Sequence, residues 1–337
     1  MSTSDASSAR TSAARPIPMP ADGRARVVIE GIAPQVDGGR FAIKRVAGDR
    51  IEVEADCFAD GHDTLACRLR HRREDDAKWG ETAMVAIGND RWRGEFAVPD
   101  IGRYRYTIAA WVDAFLSWRH DFERRVDADD LRVAAKVGAE IVANAARRAR
   151  GDDRKRLLEW ARRLAATADI DALRELALDE AAAALAQRYP DRRFETKYPV
   201  EFPVVVDRRL AAFSSWYEFF PRSASPYEGV HGTFVDAEAR LPYVAGMGFD
   251  VVYLPPIHPI GRVRRKGRNN TLVAEPDDVG SPWAIGAAEG GHKALHPELG
   301  TFDEFARFVA RARALGIEVA LDVAFQCAPD HPYVDAH

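Results

Sequence analysis

The sequence predicts a multidomain protein in which a β-sandwich, a helical insert and a series of parallel βα units follow one another along 337 residues. Three observations predict this order. Short alternating apolar and polar runs fill residues 26–128, helical apolar spacing fills 129–190, and strand and helix patterns alternate through 191–337. Residues 1–25 are rich in Ser, Ala, Arg and Pro, so we expect a disordered tail there.

The composition is that of an ordinary globular protein, with 47% hydrophobic and 30% charged residues. A net charge of −4 gives no reason to expect nucleic-acid binding. No apolar run approaches the roughly 20 residues needed to span a bilayer, so no membrane association is expected. Three cysteines are too few for a disulfide framework, which favours a cytoplasmic location with Cys57 and Cys67 buried as free thiols.

Seven alternating runs in the first part predict the strands of an immunoglobulin-like β-sandwich, because turn signals rich in Gly, Asp and Asn separate them. The runs are VVIEGI, FAIKRV, IEVEADCF, TLACRLRHR, RWRGEFAV, GRYRYTIAAWV and WRHDFERRV. Trp79, Trp92, Trp111 and Trp118 lie in the same part. They are compatible with a sugar-stacking platform, but packing in a core is the simpler interpretation.

The second part changes to Ala, Leu, Arg and Glu, and its apolar residues recur at helical spacing. This pattern predicts two or three helices. The many arginines are interleaved with acids, which is typical of a solvated helix face rather than of a nucleic-acid patch.

The third part predicts strand, helix, strand, helix and strand, which is typical of parallel βα units. The predicted strands are 213–219, 249–254 and 317–325, and the predicted helices are 237–247 and 301–315. Gly248 and Gly316 fall where a helix ends before a strand. A long loop separates the second strand from the second helix, and such loops in compact domains are usually functional.

Polar and basic side chains follow the second and third strands, at the end where a barrel of parallel strands binds ligands. They include Arg262, Arg264, Arg265, Lys266, Arg268, Asn269, Asn270, His292 and His296 after the second strand, and Asp322, Gln326, Cys327, Asp330 and His331 after the third. Amides bind hydroxyl groups and a lysine neutralises phosphate, so the set fits a polyhydroxylated anionic ligand. The sequence favours a structural role for His258, which follows two prolines. For Asp322 a role in capping or bracing the strand end remains an alternative, and for Lys266 a plain surface charge remains one.

Three segments, YLPPIHPIGR, HPELGTFDEF and ALDVAFQCAPDHP, resemble glycoside hydrolase family 13, the α-amylase superfamily. The usual pattern at the third strand is Asp-x-x-x-Asn-His, whereas here Asp322 is followed by Gln326 and Cys327. That departure, together with RKGRNN, GSPWAIGAAEGGH and YEFFPRS, resembles one subfamily over about residues 190–337. The subfamily is that of the bacterial α-1,4-glucan:maltose-1-phosphate maltosyltransferases.

The resemblance implies transfer of maltosyl units from α-maltose 1-phosphate to the non-reducing end of an α-1,4-glucan, with release of phosphate, by retaining double displacement. It implies Lys266 and Gln326 as donor-binding residues, with Asn270 and Asp330 as weaker candidates. It also implies a (β/α)8 TIM barrel and a homodimer built largely through the N-terminal domains. No metal or organic cofactor is implied.

The barrel implied by the resemblance is expected to be truncated. A complete barrel takes roughly 250 residues, and only three of its eight strands can be placed after residue 213. In the family the nucleophilic aspartate follows strand four and the acid/base glutamate strand five. Both are therefore expected beyond residue 337, and the chain is expected to be an inactive N-terminal fragment of a longer enzyme.

Two other functions remain open from the sequence. One is a glycogen branching or debranching enzyme, against which Gln326 and Cys327 count because they replace Asn-His. The other is a non-catalytic module, formed by the sandwich and helices, that binds glucan or a second subunit. Phosphate release from maltose 1-phosphate distinguishes the maltosyltransferase from both.

Overall fold

The structure is a computed structural model that describes residues 22–337. The chain forms two compact units, and the division between them falls between Arg209 and Leu210. The predicted disordered tail lies, up to residue 21, outside the described residues.

The first unit contains two β-sheets. Its strands are β1 (Val28–Ala33), β2 (Ile43–Val46), β3 (Asp49–Phe58), β4 (Leu65–Arg73), β5 (Gly80–Ala83), β6 (Val85–Gly88), β7 (Arg91–Val98), β8 (Gly102–Val112), β9 (Thr196–Lys197) and β10 (Phe202–Asp207). Four strands form an antiparallel sheet in the order β1-β3-β7-β6. The other sheet has the order β2-β10-β8-β4-β5, with β9 also paired to β8.

Both sheets contribute side chains to one hydrophobic core. Ile51 and Val53 of β3 and Leu69, Tyr106 and Ile108 of β4 and β8 are all fully buried within the same cluster. Their inward direction follows from the alternation of apolar and polar residues along each strand. Six of the seven predicted runs are strands in the structure.

The seventh predicted run, WRHDFERRV, is a helix rather than a strand. Helix α1 spans Ala114–Arg124, and the Asp113 carboxylate caps it by accepting from the amides of Phe115 and Leu116, each at 3.0 Å. Phe115, Trp118 and Phe122 recur at helical spacing and are buried on one face of α1. The alternation of apolar and polar residues that predicted a strand was therefore coincidental. The all-β part therefore ends near Val112 and not at residue 128.

Four further helices follow α1, where two or three were predicted. They are α2 (Ala128–Arg148), α3 (Gly151–Ala166), α4 (Ile170–Ala177) and α5 (Glu180–Gln187). They share a second core in which Trp118 packs beside Gly138, where an added Cβ would lie 2.1 Å from the indole. Trp111 and Trp118 are buried, so the core interpretation of these two tryptophans is confirmed.

Residues 202–207, assigned from the sequence to the barrel part, belong to the first unit. Strand β10 pairs in parallel with β2 and antiparallel with β8, so its buried Phe202, Val204 and Val206 complete the sandwich core. The helices are thus an insertion between strands of one sheet. The sequence could not show this, because strand pairing between distant segments leaves no local pattern.

The second unit contains a parallel three-stranded sheet with the order β11-β12-β13. Its elements are β11 (Trp216–Glu218), α6 (Phe234–Gly246), β12 (Val251–Leu254), α7 (Phe302–Ala314), β13 (Glu318–Leu321) and α8 (Pro332–Ala336). Capping boxes at Thr233 and Thr301 begin α6 and α7. The predicted series of three strands and two helices is confirmed.

Strand β13 ends at Leu321, four residues before the predicted end. The amide of Asp322 donates to the Leu254 carbonyl at 3.0 Å, and after Leu254 the neighbouring strand turns into Pro255 and Pro256. Prolines have no amide hydrogen and do not extend a ladder, so β13 loses its partner there.

Two smaller expectations can also be compared with the structure. Cys57 and Cys67 are buried and free, as predicted, and both the neighbouring Cys57 and burial raise the pKa of the Cys67 thiol. Across residues 22–337, none of the helices combines the length and the apolar character needed to cross a membrane.

Candidate functional site

The long loop after β12 is held in place by its own backbone hydrogen bonds. The Gly261 amide donates to the Ala284 carbonyl and the Gly286 amide to the Pro259 carbonyl, each at 2.8 Å. Ile260 and Ile285 form an isolated antiparallel bridge at the same point. The two halves of the loop therefore run side by side, and the basic segment between them projects as a hairpin-like excursion.

Three of the four arginines between residues 262 and 268 are braced by protein partners, whereas the exposed Arg264 has no ion pair or hydrogen bond among the described residues. Arg262 donates to Glu289 at 2.5 Å, and Arg268 pairs with Asp277 at 2.8 Å and with Asp278 at 3.0 Å. Arg265 donates to the Pro276 carbonyl at 3.2 Å. These contacts fix the loop and use much of its positive charge internally.

Lys266 differs from these arginines. Its side chain is exposed, and within the described part of the chain its ammonium group has neither an ion-pair nor a hydrogen-bond partner. It lines a cavity of about 300 Å³ together with residues 267–270 and 278–281. A cation that is unpaired and faces a cavity is available to a ligand, which a braced arginine is not.

The floor of this cavity depends on a glycine. A Cβ added at Gly267 would lie 2.5 Å from Thr271 Oγ1 and 2.7 Å from Asp278 Oδ2, so only glycine fits. The next turn places Asn269 and Asn270 in the left-handed region, with φ of 53° and 63°, which asparagine tolerates better than most residues. The sequence RKGRNN thus forms a tight turn that presents Lys266 and two amides to the same space.

Asp330, a weaker candidate from the sequence, ties the two loops together. Its Oδ2 accepts from the backbone amides of Arg262 at 2.8 Å and Val263 at 3.3 Å. Its Oδ1 is buried without a hydrogen-bond partner among the described residues. These contacts give Asp330 a bracing role, and they leave one carboxylate oxygen unused at the base of the basic loop.

Gln326 lies in the loop after β13, and its side chain is exposed. It does not line the cavity that Lys266 lines. The segment around it is nevertheless docked on the long loop, because Cys327 bridges Ile285 and the Ala328 amide donates to the Ile285 carbonyl at 2.7 Å. Both predicted donor-binding residues therefore follow the carboxyl ends of neighbouring parallel strands, without touching each other.

Asp322 is joined to two aromatic residues that the sequence analysis did not select. Its Oδ2 accepts from the Trp283 indole at 2.7 Å. A hydrogen bond to Asp322 also raises the pKa of the Tyr253 hydroxyl to about 12. A lone tryptophan in a polar loop was the available signal for Trp283, but its partner could not be read from spacing. The bracing role left open for Asp322 is supported.

His258 has the structural role preferred from the sequence. Its Nδ1 donates to the Ala294 carbonyl at 2.9 Å, which fastens the start of the long loop to its later part. His292, another candidate, lies 5.6 Å from it between ring centroids and contacts His331.

His296 belongs to a group with His231 and Glu298, whose potential ligand atoms lie within 4.8 Å of one another. His231 Nδ1 donates to the Gly232 carbonyl, which leaves its Nε2 free. Burial, and then His231 and Arg222, lower the pKa of His296. The nearby Arg222 guanidinium has a buried Nη1 with no hydrogen-bond partner among residues 22–337, and this charge opposes a metal cation. The group is therefore not assigned as a metal site.

Comparison with known proteins gives consistent matches. A family model described as "Alpha-1,4-glucan:maltose-1-phosphate maltosyltransferase, domain N/S" matches residues 25–208. Curated proteins named α-1,4-glucan:maltose-1-phosphate maltosyltransferase are 50% identical over 319 residues in Chlorobaculum tepidum and 52% identical over 320 residues in Myxococcus xanthus. These matches cover 94% and 92% of this chain and 48% of each relative, so the chain spans about half the length of those relatives.

A solved structure of an α-amylase from Lactobacillus plantarum is similar over a smaller part of the chain. It is 32% identical, with a TM-score of 0.30, over 37% of this chain and 26% of that one. The family model covers the first unit, whereas the motifs noted in the sequence lie mostly in the second.

Proposed function

Since this chain belongs to the α-1,4-glucan:maltose-1-phosphate maltosyltransferase family, we propose that its whole protein transfers maltosyl units from α-maltose 1-phosphate to the non-reducing end of α-1,4-glucans and releases phosphate. The reaction proceeds by retaining double displacement, with an aspartate nucleophile and a glutamate acid/base. In the proposal these two carboxylates follow the fourth and fifth strands of the barrel. Glycogen, which is an α-1,4-glucan, is included in the proposal as an acceptor.

The unpaired Lys266 ammonium carries the proposal within this chain. The donor has a phosphate group, and an ammonium attracts phosphate as a point charge while nearby amides bind sugar hydroxyls. Lys266 faces the cavity together with Asn270, in a loop whose arginines are mostly occupied by Glu289, Asp277 and Asp278. Gln326 contributes a second amide from the neighbouring loop. Lys266 and Gln326 are thus proposed as donor-binding residues.

We also propose a fold family for each of the two units. The two sheets of the first unit form an immunoglobulin-like sandwich, which a shared core between a four-stranded and a six-stranded sheet supports. The parallel strands β11, β12 and β13 are the first three strands of a (β/α)8 barrel, which their sequential order and the intervening helices support. A cytoplasmic location is supported by the two buried free thiols, and a homodimer by the family resemblance.

The test is phosphate release from α-maltose 1-phosphate by the full-length protein in the presence of a short α-1,4-glucan. Replacing Lys266 by Gln removes the charge but keeps a polar side chain. Loss of a hydrogen bond to a charged group costs about 1.5–3 kcal/mol, so we expect the donor KM to rise on the order of 10- to 100-fold. Arg264→Gln is the matched control, because Arg264 is exposed in the same loop and does not line the cavity.

Three results would contradict all or part of the proposal. Chain-length changes in the glucan without phosphate release indicate a branching or debranching enzyme. Glucan binding without any turnover of the full-length protein indicates a non-catalytic module. A donor KM that changes equally in the Lys266 and Arg264 variants would remove Lys266 from the donor site and reduce the basic loop to a general positive field.

A further inference from the structure

Two histidines of the second unit form a continuous hydrogen-bonded network that joins the start of α8, the long loop and the loop after β13. His292 Nδ1 and His331 Nε2 are 3.0 Å apart. At one end, the Tyr333 amide donates to His331 Nδ1 at 3.0 Å. At the other end, His292 Nε2 lies 2.6 Å from the Ala324 carbonyl oxygen.

The backbone groups at the two ends fix where each proton lies. The Tyr333 amide is only a donor, so His331 Nδ1 must carry a lone pair and His331 Nε2 the proton. The His331 proton then points at His292 Nδ1, and His292 Nε2–H donates to the Ala324 carbonyl. All four ring nitrogens are used, both rings are neutral, and neither retains a lone pair for a metal ion.

Glycines of the long loop make this arrangement possible. A Cβ added at Gly286 would lie 2.4 Å from His331 Cδ2, and one at Gly291 would lie 2.2 Å from His331 Nε2. His331 is 1% exposed. The glycine-rich stretch GAAEGGH thus packs its backbone directly on the His331 ring, which accounts for a sequence feature that the proposed function leaves unexplained.

The hydrogen-bonded network of the two histidines ends at the Ala324 carbonyl, in the segment that carries Gln326. Strand β13 stops at Leu321, and Asp322 just after it is held by the Leu254 carbonyl and the Trp283 indole. Around Gln326 the backbone is fastened by two hydrogen bonds, from His292 to the Ala324 carbonyl and from the Ala328 amide to the Ile285 carbonyl. Both fastenings come from the long loop, and the exposed Gln326 side chain lies between them.

We propose that His292 and His331 are positioning residues that fix the backbone of residues 324–328, so that Gln326 is presented to the donor sugar phosphate in one orientation. His331 acts through His292 by holding its Nδ1 and thereby directing its Nε2–H onto the Ala324 carbonyl. The donor part of this inference rests on the proposed function; the backbone part does not.

The test compares two His292 variants of the full-length protein. His292→Ala removes the bond to the Ala324 carbonyl, and we expect the donor KM for α-maltose 1-phosphate to rise roughly tenfold, with a smaller change in kcat. His292→Gln places an amide N–H where Nε2 lies and should recover most of the loss. His258→Gln is the control, since it removes a similar bond to the Ala294 carbonyl away from Gln326 and should leave the KM unchanged.

Two readouts do not depend on turnover. Nitrogen-15 NMR of labelled histidines should show both rings neutral with the proton on Nε2. Exchange of the Ala328 amide, which donates to Ile285, should accelerate roughly tenfold in His292→Ala and not in His258→Gln.

Each outcome tests either the backbone part or the donor part of the inference. Equal effects of the Ala, Gln and control variants on KM and exchange would show that the histidines only stabilise the unit, and would overturn the inference. A proton on Nδ1 of either ring would also overturn it. If the wild-type protein does not turn over the donor while the NMR and exchange results hold, the proposed function fails and the histidine brace stands.

Discussion

The two units of the chain differ in how completely their sheets are closed. In the first unit, the inward side chains of both sheets are buried, and the outer face of one sheet carries paired charges such as Arg93 with Glu54. In the second unit, only the central strand β12 is well buried. Its neighbours leave Trp216 and Leu321 50% and 38% exposed, although parallel sheets are normally covered on both faces.

The difference suggests a division of roles, in which the first unit contributes mainly stability and the second contributes the loops for ligand binding. The first unit has two apolar cores and several side-chain-capped helices. The second has a smaller core and a loop of more than forty residues that is ordered by backbone bonds, ion pairs and histidines. Segments with few buried apolar contacts open more easily, which is the usual setting for binding loops.

The largest expected effect is the loss of stability on truncating a buried phenylalanine, which tests whether the two units unfold independently. Phe122 in the first unit and Phe308 in the second are both fully buried. Truncation of a buried Phe to Ala costs about 3–5 kcal/mol, because transfer energy is lost and a cavity remains. Residue-resolved hydrogen exchange should show each loss confined to its own unit.

The matched control for Phe122→Ala is Val133→Ala, which changes a helical side chain that is 61% exposed and should leave exchange unaltered. If Phe308→Ala also released the amides of β3 or β8 in the first unit, the two units would form one cooperative structure, and the comparison would be wrong.

A smaller effect is expected from removing the capping box at the start of α7, which tests how much the second unit depends on local hydrogen bonds. The Thr301 hydroxyl accepts from the Glu304 amide, and Glu304 accepts from the Thr301 amide at 2.8 Å. Thr301→Ala should cost about 1 kcal/mol, because the Glu304 amide at the start of α7 loses the hydroxyl that accepts its hydrogen bond. Exchange of the α7 amides measures it, and Thr301→Ser should retain most of the protection. Equal losses in both variants would mean that the methyl group, not the cap, matters.

The smallest effect concerns the charged face of the first unit. Hydrogen bonding by Arg93 lowers the pKa of Glu54 below its usual value. The unfolded state then binds the proton more tightly, so the stabilisation is present above the unfolded pKa and is lost as pH falls through the folded one. The melting temperature should fall less between pH 7 and pH 4 in Glu54→Gln than in the wild type. This difference should correspond to a smaller change in stability than the one expected for Thr301→Ala. A steeper fall in the variant would contradict the sign.

Much of the fold followed from local pattern. Six alternating runs are strands because each has a face turned to a core, and the βα series appeared because buried parallel strands alternate with capped helices. The errors came where local and distant information conflict. Helix α1 mimicked a strand over a few residues, and β10 pairs with β2 and β8, whose residues come far earlier in the chain.

The candidate site was predicted only as a set of residues. The sequence placed Lys266, Asn270, Gln326 and Asp330 in loops at one end of parallel strands, since strand direction alone determines that. It did not distinguish the unpaired Lys266 from the braced arginines around it, because ion pairing depends on where Glu289 and Asp278 come to lie.

The sequence by itself determined most of the element types, the buried thiols and the family, because these depend on neighbouring residues or on contiguous motifs. The tertiary structure alone decided which sheet β10 completes, which arginines of the basic loop are paired and how Tyr333, His331, His292 and Ala324 connect. Such pairings join residues far apart in the chain, and their geometry follows from the packing of whole elements rather than from any local preference.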